Sequence, residues 1–145
     1  MRFWDASAII PLCVDQPGTP AARELLEGDS GLVCWWGTPV ECCSAFARLR
    51  REGILSDAME GKARELLREL SQAWTEVQPG RQLREGAERA LLLHPLRAAD
   101  ALQLAAALVW ARGHGPGRHF VCADRRLADA ARREGFTAAI VGQKE

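Results

Sequence analysis

The chain has 145 residues, 48% of them hydrophobic and 26% charged, a length that suits one globular domain with one real core. Nineteen basic and nineteen acidic residues cancel, so net charge does not mark a nucleic-acid binder, and any such partner must be held by a local patch. No segment is long and apolar enough to span a bilayer. The opening Met1-Arg2-Phe3-Trp4-Asp5 also places a carboxylate where a signal peptide would build its apolar stretch, so cytoplasm is the expected compartment.

Residues 2–5 read as a strand, followed at once by a short helix around Ser7–Leu12. Asp15-Gln-Pro-Gly forms a turn, and Thr19-Pro20 opens a helix with Ala21, Leu25 and Leu26 on one face. Residues 32–36 are a second strand, stopped by Gly37-Thr38-Pro39. The next helix spans about 39–52, with Val40, Cys43, Ala47 and, further on, Ile54 as its apolar residues. Another runs over roughly 57–74, with Ala63, Leu66, Leu67, Leu70 and Trp74 at amphipathic spacing. Thr75–Gln78 reads as a short third strand, and a helix over 81–93 is ended by Pro95.

The segment 98–112 is apolar nearly all round, which predicts a helix buried inside the domain. After a Gly-rich loop at 113–117 come a strand at 119–122, a helix at 126–134 and a final strand at 137–141. Short strands separated by helices imply an α/β fold with a central parallel sheet covered on both faces. Right-handed crossovers put the strand-to-helix turns at one edge, where ligands bind in such folds.

Five cysteines, Cys13, Cys34, Cys42, Cys43 and Cys122, are scattered without a C-x-x-C or His/Cys cluster. They predict small reduced thiols, not a disulfide framework or a structural zinc site.

Four carboxylates stand at comparable places in this pattern. Asp5 ends the first strand, Glu41 lies in the first turn after the second, and Asp124 sits just past the strand at 119–122. These three converge by topology; Asp100, which opens the buried helix, joins them only if that helix points its N-terminus the same way. Each has a structural reading of its own. Thr38-Pro-Val-Glu41 matches a capping box with Pro39 at the first helical position. Asp100 suits the helix dipole, and Asp5 and Asp124 suit N-caps. As a set, four anions at one sheet edge repel one another unless a cation sits among them. Hard divalent ions such as Mg²⁺ or Mn²⁺ prefer such oxygen ligands, whereas zinc is disfavoured without His or Cys beside them. A carboxylate cage around such an ion suits phosphoester hydrolysis.

The same residues carry a family resemblance. Phe3-Trp-Asp5-Ala-Ser7-Ala-Ile-Ile resembles the opening strand and D-x-S element of PIN domains. Thr38-Pro-Val-Glu41, with Ala45, Arg48 and Leu49, is similar to their second acidic element. Leu96-Arg-Ala-Ala-Asp100-Ala-Leu-Gln-Leu-Ala-Ala-Ala resembles the third, the most specific of the four. Val121-Cys-Ala-Asp124-Arg-Arg-Leu, with Ala130, Ala131 and Gly135, resembles the last, and Ile140-Val141 follows as the closing strand.

The match runs in order over essentially the whole chain, as a single PIN domain over residues 1–145 similar to VapC-like toxins. It implies a Mg²⁺- or Mn²⁺-dependent ribonuclease with Asp5, Glu41, Asp100 and Asp124 as metal ligands and catalytic acids. It also implies a homodimer and a cognate antitoxin that blocks the site. Two positions depart from the family: Cys122 stands where Thr or Ser is usual, and Trp4 replaces an aliphatic residue.

Asp5, Glu41 and Asp100 rank first as ligands, with Asp124 as a ligand to a second ion or as a group that orients the others. Ser7 is placed either against substrate or a water at the ion, or as the cap of the first helix. Arg97 is the first candidate for touching substrate; Arg48 and the pair Arg125–Arg126 are further phosphate-binding candidates, while Arg50 and Arg51 read as a solvated face. Trp35 and Trp36 must point to opposite faces of the sheet, one into the core. The other serves a partner interface or, ranked second, stacks on a base. His94, His114 and His119 read as bystanders, and Asp57, Asp129 and the glutamates of 60–88 as solvated helix faces.

A haloacid-dehalogenase-like phosphatase would need a second Asp where Ser7 stands. A dinucleotide-binding domain would need its Gly-rich turn after the first strand. The serious alternative is a PIN-fold module that binds RNA or protein without cleaving.

Overall fold

The computed structural model describes residues 1–112 and 117–142. The order is β1 (Arg2–Trp4), α1 (Ala6–Cys13), α2 (Thr19–Gly28), β2 (Leu32–Trp35), α3 (Thr38–Arg51) and α4 (Asp57–Ala73). There follow β3 (Thr75–Val77), α5 (Arg81–Leu93), α6 (Ala98–Ala111), β4 (His119–Cys122), α7 (Arg125–Arg133) and β5 (Thr137–Ile140). Each expected strand and helix is present, with ends shifted by a residue or two. The loop expected at 113–117, and His114 within it, lie outside the described residues apart from Gly117.

All five strands are parallel, in the order β3-β2-β1-β4-β5. Successive residues point to opposite faces, and both faces of the inner strands are covered, so Phe3-Trp4, Leu32–Trp35 and Phe120–Cys122 are unbroken apolar runs, whereas the edge strand β3 carries Thr75 and Glu76. Phe3, Val33, Trp35, Phe120 and Cys122 enter one core with buried residues of α5, α6 and α7. Trp4, Leu32, Cys34 and Val121 enter the other with α1, α3 and α4. The even apolarity of α6 is explained by its place: Ala101 and Gln103–Ala107 are all buried. Gly135 turns the chain from α7 into β5 with φ +100°, a conformation that disfavours any side chain.

Chain order moves outward from β1 to β2 and β3, then crosses back to place β4 on the other side of β1. The switch point of the sheet therefore falls between β1 and β4, where an open α/β sheet forms its ligand crevice. Asp5 follows one of these strands and Asp124 the other.

Two expectations about α3 are corrected. Its packed stripe is Cys42, Ala45, Phe46 and Leu49, whereas Val40 is 73% exposed and Cys43 and Ala47 are only half-buried. Both stripes have helical spacing, and the sequence offers no neighbour to choose between them. The capping box is also absent: Gly37 is the N-cap, without a side-chain hydrogen bond. Thr38 and Glu41 turn to a residue of α6 instead.

Candidate active site

Asp5 caps α1, accepting the Ser7 backbone N–H at 3.0 Å and the Ser7 hydroxyl at 2.5 Å. The Ser7 hydroxyl in turn accepts the Ala123 N–H at 2.8 Å. Ser7 is thus not the helix cap. It bridges the end of β1 to the end of β4 and supports Asp5 from below the cleft. Asp124 caps α7, accepting N–H groups of Arg126 at 2.9 Å and Leu127 at 3.5 Å. The structural readings of these two acids therefore hold.

Asp100 meets the condition set for it. It lies in the first turn of α6 and lines one cleft with Glu41 and Asp124, together with Trp35, Trp36, Val40, Arg48 and Arg97. Asp5 is only 4% exposed and does not itself line the cleft. Burial lifts its carboxyl to about 6 against the Ser7 hydrogen bonds, and the charges of Asp100 and Asp124 add to the rise. Burial, then the charge of Asp5, pushes Glu41 up to about 7. Asp100 is also raised, by burial and then by Asp124, opposed by the Arg97 N–H and the charges of Arg97 and Arg126. The charges of Asp5, Asp100 and Asp124 thus reach other acids of the set through space.

Gln103 was not singled out by the sequence, yet it organises Glu41. Its Nε2 donates to Glu41 Oε2 at 2.9 Å and to Thr38 Oγ1 at 3.1 Å, while its buried Oε1 has no hydrogen-bond partner. A polar residue inside an otherwise apolar run was the one available signal. Cys122, at the position expected for Thr or Ser, donates its thiol to the Asp124 carbonyl oxygen at 3.3 Å, and burial holds that thiol up at about 12. It steadies the Asp124 backbone as a neutral group.

Among the described residues no three acidic, histidine or cysteine side chains already converge as a cage for an ion. Asp5 is turned onto Ser7, Glu41 onto Gln103 and Asp124 onto its own helix. All-oxygen donors with raised carboxyl pKa values nevertheless fit a hard divalent cation, and loading it would take side-chain rotation away from these partners.

His94 is no bystander in the fold. It is buried, with Nε2 2.7 Å from Glu134 Oε2, and Arg89 meets the same carboxylate at 3.2 Å. This pair ties the segment before α6 to the end of α7. Arg50 pairs with Glu60 at 2.7 Å, so Glu60 is not a freely solvated residue. No described helix is long and apolar enough to cross a membrane.

No family model and no curated protein sequence matches the chain. Solved structures do. A toxin–antitoxin complex from Klebsiella pneumoniae is similar at a TM-score of 0.62 and 13% identity, covering 88% of this chain and 91% of that one. A protein from Pyrobaculum aerophilum is similar at 0.67 and 19%, covering 94% and 87%. The FitAcB structure from Neisseria gonorrhoeae is similar at 0.66 and 15%, covering 95% and 96%. Together with the parallel five-stranded sheet and its flanking helices, these likenesses show that the chain has a PIN-like α/β fold.

Proposed function

We propose that the chain is a divalent-metal-dependent endoribonuclease that hydrolyses RNA phosphodiesters, the toxin of a type II toxin–antitoxin pair. The observation that carries this reading is the gathering of Asp5, Glu41, Asp100 and Asp124, from four separate segments, at the switch point of the sheet. There, burial and mutual repulsion raise the pKa values of the first three. A purely binding module has no use for acids that destabilise one another.

Asp5, Glu41 and Asp100 would hold Mg²⁺ or Mn²⁺, with Asp124 as a further ligand or an orienting group. When bound, the ion supplies charge stabilisation and an activated water for attack on phosphorus. Arg97 and Arg48 line the cleft and would hold the substrate phosphates on either side of the cut. Ser7 serves Asp5, setting the direction of its carboxylate. The toxin–antitoxin complex with the same fold supports a cognate antitoxin as partner, and a homodimer is the proposed assembly.

The test is cleavage of structured RNA by the purified chain with Mg²⁺, Mn²⁺ or excess chelator. Cleavage that needs the metal and is lost in Asp5→Ala supports the proposal. Absence of metal-dependent cleavage of any RNA tried, with Asp5→Ala indistinguishable from the parent, leaves the non-cleaving binding module as the better reading.

A further inference from the structure

Trp36 is the large apolar side chain that the fold leaves uncovered beside the acids. It is 53% exposed and lines the same cleft as Glu41, Asp100 and Asp124. A scattered exposed apolar residue needs no explanation, but this one is held in place. Its backbone N–H donates to the Val77 carbonyl at 3.0 Å, which ties it to β3 beyond the end of the β2 ladder. Its ring meets Trp35 edge-on, with centroids 6.1 Å apart and planes at 67°. Trp35 is itself buried over Gly37, where a Cβ would collide with the Trp35 indole nitrogen. The segment Trp35-Trp36-Gly37 therefore fixes an exposed indole in advance of binding, which lowers the entropy a ligand must overcome.

The cleft combines three chemistries: carboxylates, guanidinium groups and an aromatic wall. Arg97 and Arg126 act on Asp100 from the lining, and Arg48 joins it with only a distant 3.9 Å pairing to Glu52. An apolar peptide would use Trp36 and neighbouring Val40 and make no use of the arginines. A nucleic-acid duplex would engage the arginines and offer no free base face. A single strand uses the guanidinium groups and the aromatic wall at once, phosphates on the arginines and a base on the indole. We propose that Trp36 is a substrate-positioning platform: an unpaired base next to the phosphate held over the acids stacks on it. From sequence, a partner interface ranks ahead of base stacking; the position of the ring inside the acid-lined cleft reverses that order.

This inference rests on the nuclease reading, and the experiment separates the two. Binding of an end-labelled single-stranded RNA of mixed sequence, and of its blunt duplex, is measured by fluorescence anisotropy in millimolar Ca²⁺. Metal-dependent cleavage of the same strand is followed in parallel. The parent should prefer the strand to the duplex. Trp36→Leu should weaken strand binding about tenfold, and Trp36→Phe should stay within about threefold of the parent. One abasic position in the strand should weaken binding to the parent and leave binding to Trp36→Leu unchanged. If Trp36→Leu binds strand and duplex like the parent while cleavage persists, the platform is refuted and the nuclease stands. The platform is equally refuted if that variant loses only a protein partner. If the parent neither binds nor cleaves RNA, both readings fall.

Discussion

Replacing Asp5 by Asn should make the metal-free protein more stable at neutral and alkaline pH. Burial holds this carboxyl at about 6 when its ordinary value is 3.8. Between those values the folded chain keeps a proton that the unfolded chain has lost. Stability therefore falls as pH rises through that window, and the full penalty is in place above it. At about 1.4 kcal/mol per pH unit the penalty is about 3 kcal/mol. Asn removes the charge, and its Oδ1 can still accept the Ser7 N–H and hydroxyl. Allowing for weaker hydrogen bonds to a neutral acceptor, Asp5→Asn should gain roughly 1–3 kcal/mol at about pH 8. Near pH 4.5, where about a third of the penalty has developed, the advantage should shrink by about 2 kcal/mol. Urea unfolding with excess chelator at both pH values measures this directly, provided the slopes agree. A difference between variant and parent that is the same at both pH values would refute the claim that burial of a charge governs Asp5.

Three further outcomes are expected. Millimolar Mn²⁺ should raise the melting temperature of the parent by mass action, and Asp100→Asn should remove most of that rise; an unchanged melting curve in the parent would count against a shared metal site. Gln103→Leu takes away the hydrogen bond that lowers the Glu41 pKa. The Glu41 carboxyl, followed by carbon NMR, should then titrate above about 7, with stability changed by only about 1 kcal/mol, because the unpartnered Oε1 is removed too. His94→Ala leaves the largely buried Glu134 with Arg89 alone, and should cost about 3 kcal/mol in urea melts.

The strands and helices were legible because local signals agreed. Both faces of the inner strands are covered, so Phe3-Trp4 and Leu32–Trp35 are unbroken apolar runs, and Asp5 and Asp124 mark helix starts as caps. Three of the four acids could be placed by topology alone, since parallel strands end at one edge. What failed to show were the side-chain hydrogen bonds between residues far apart along the chain. Gln103 meets Glu41 across 62 positions and His94 meets Glu134 across 40. No local spacing distinguishes such residues from an incidental polar side chain in a helix or a stray histidine in a loop. The α3 stripe failed for a related reason. Val40 has the right period to be core, but α3 turns it toward the cleft.

The order of the strands carries a consequence for how the molecule comes into being. Phe3 pairs with Phe120 and Trp4 with Val121, so the first strand made waits for the fourth before its second side is closed. Such a long-range pairing is slow to form and is completed late. A chain still emerging from the ribosome, with β4 unmade, has no Asp124 and leaves Asp5 beside a bare strand edge. Its acidic crevice is closed by the same contact that closes the sheet, so a chain without β4 holds three of the acids but not the finished site.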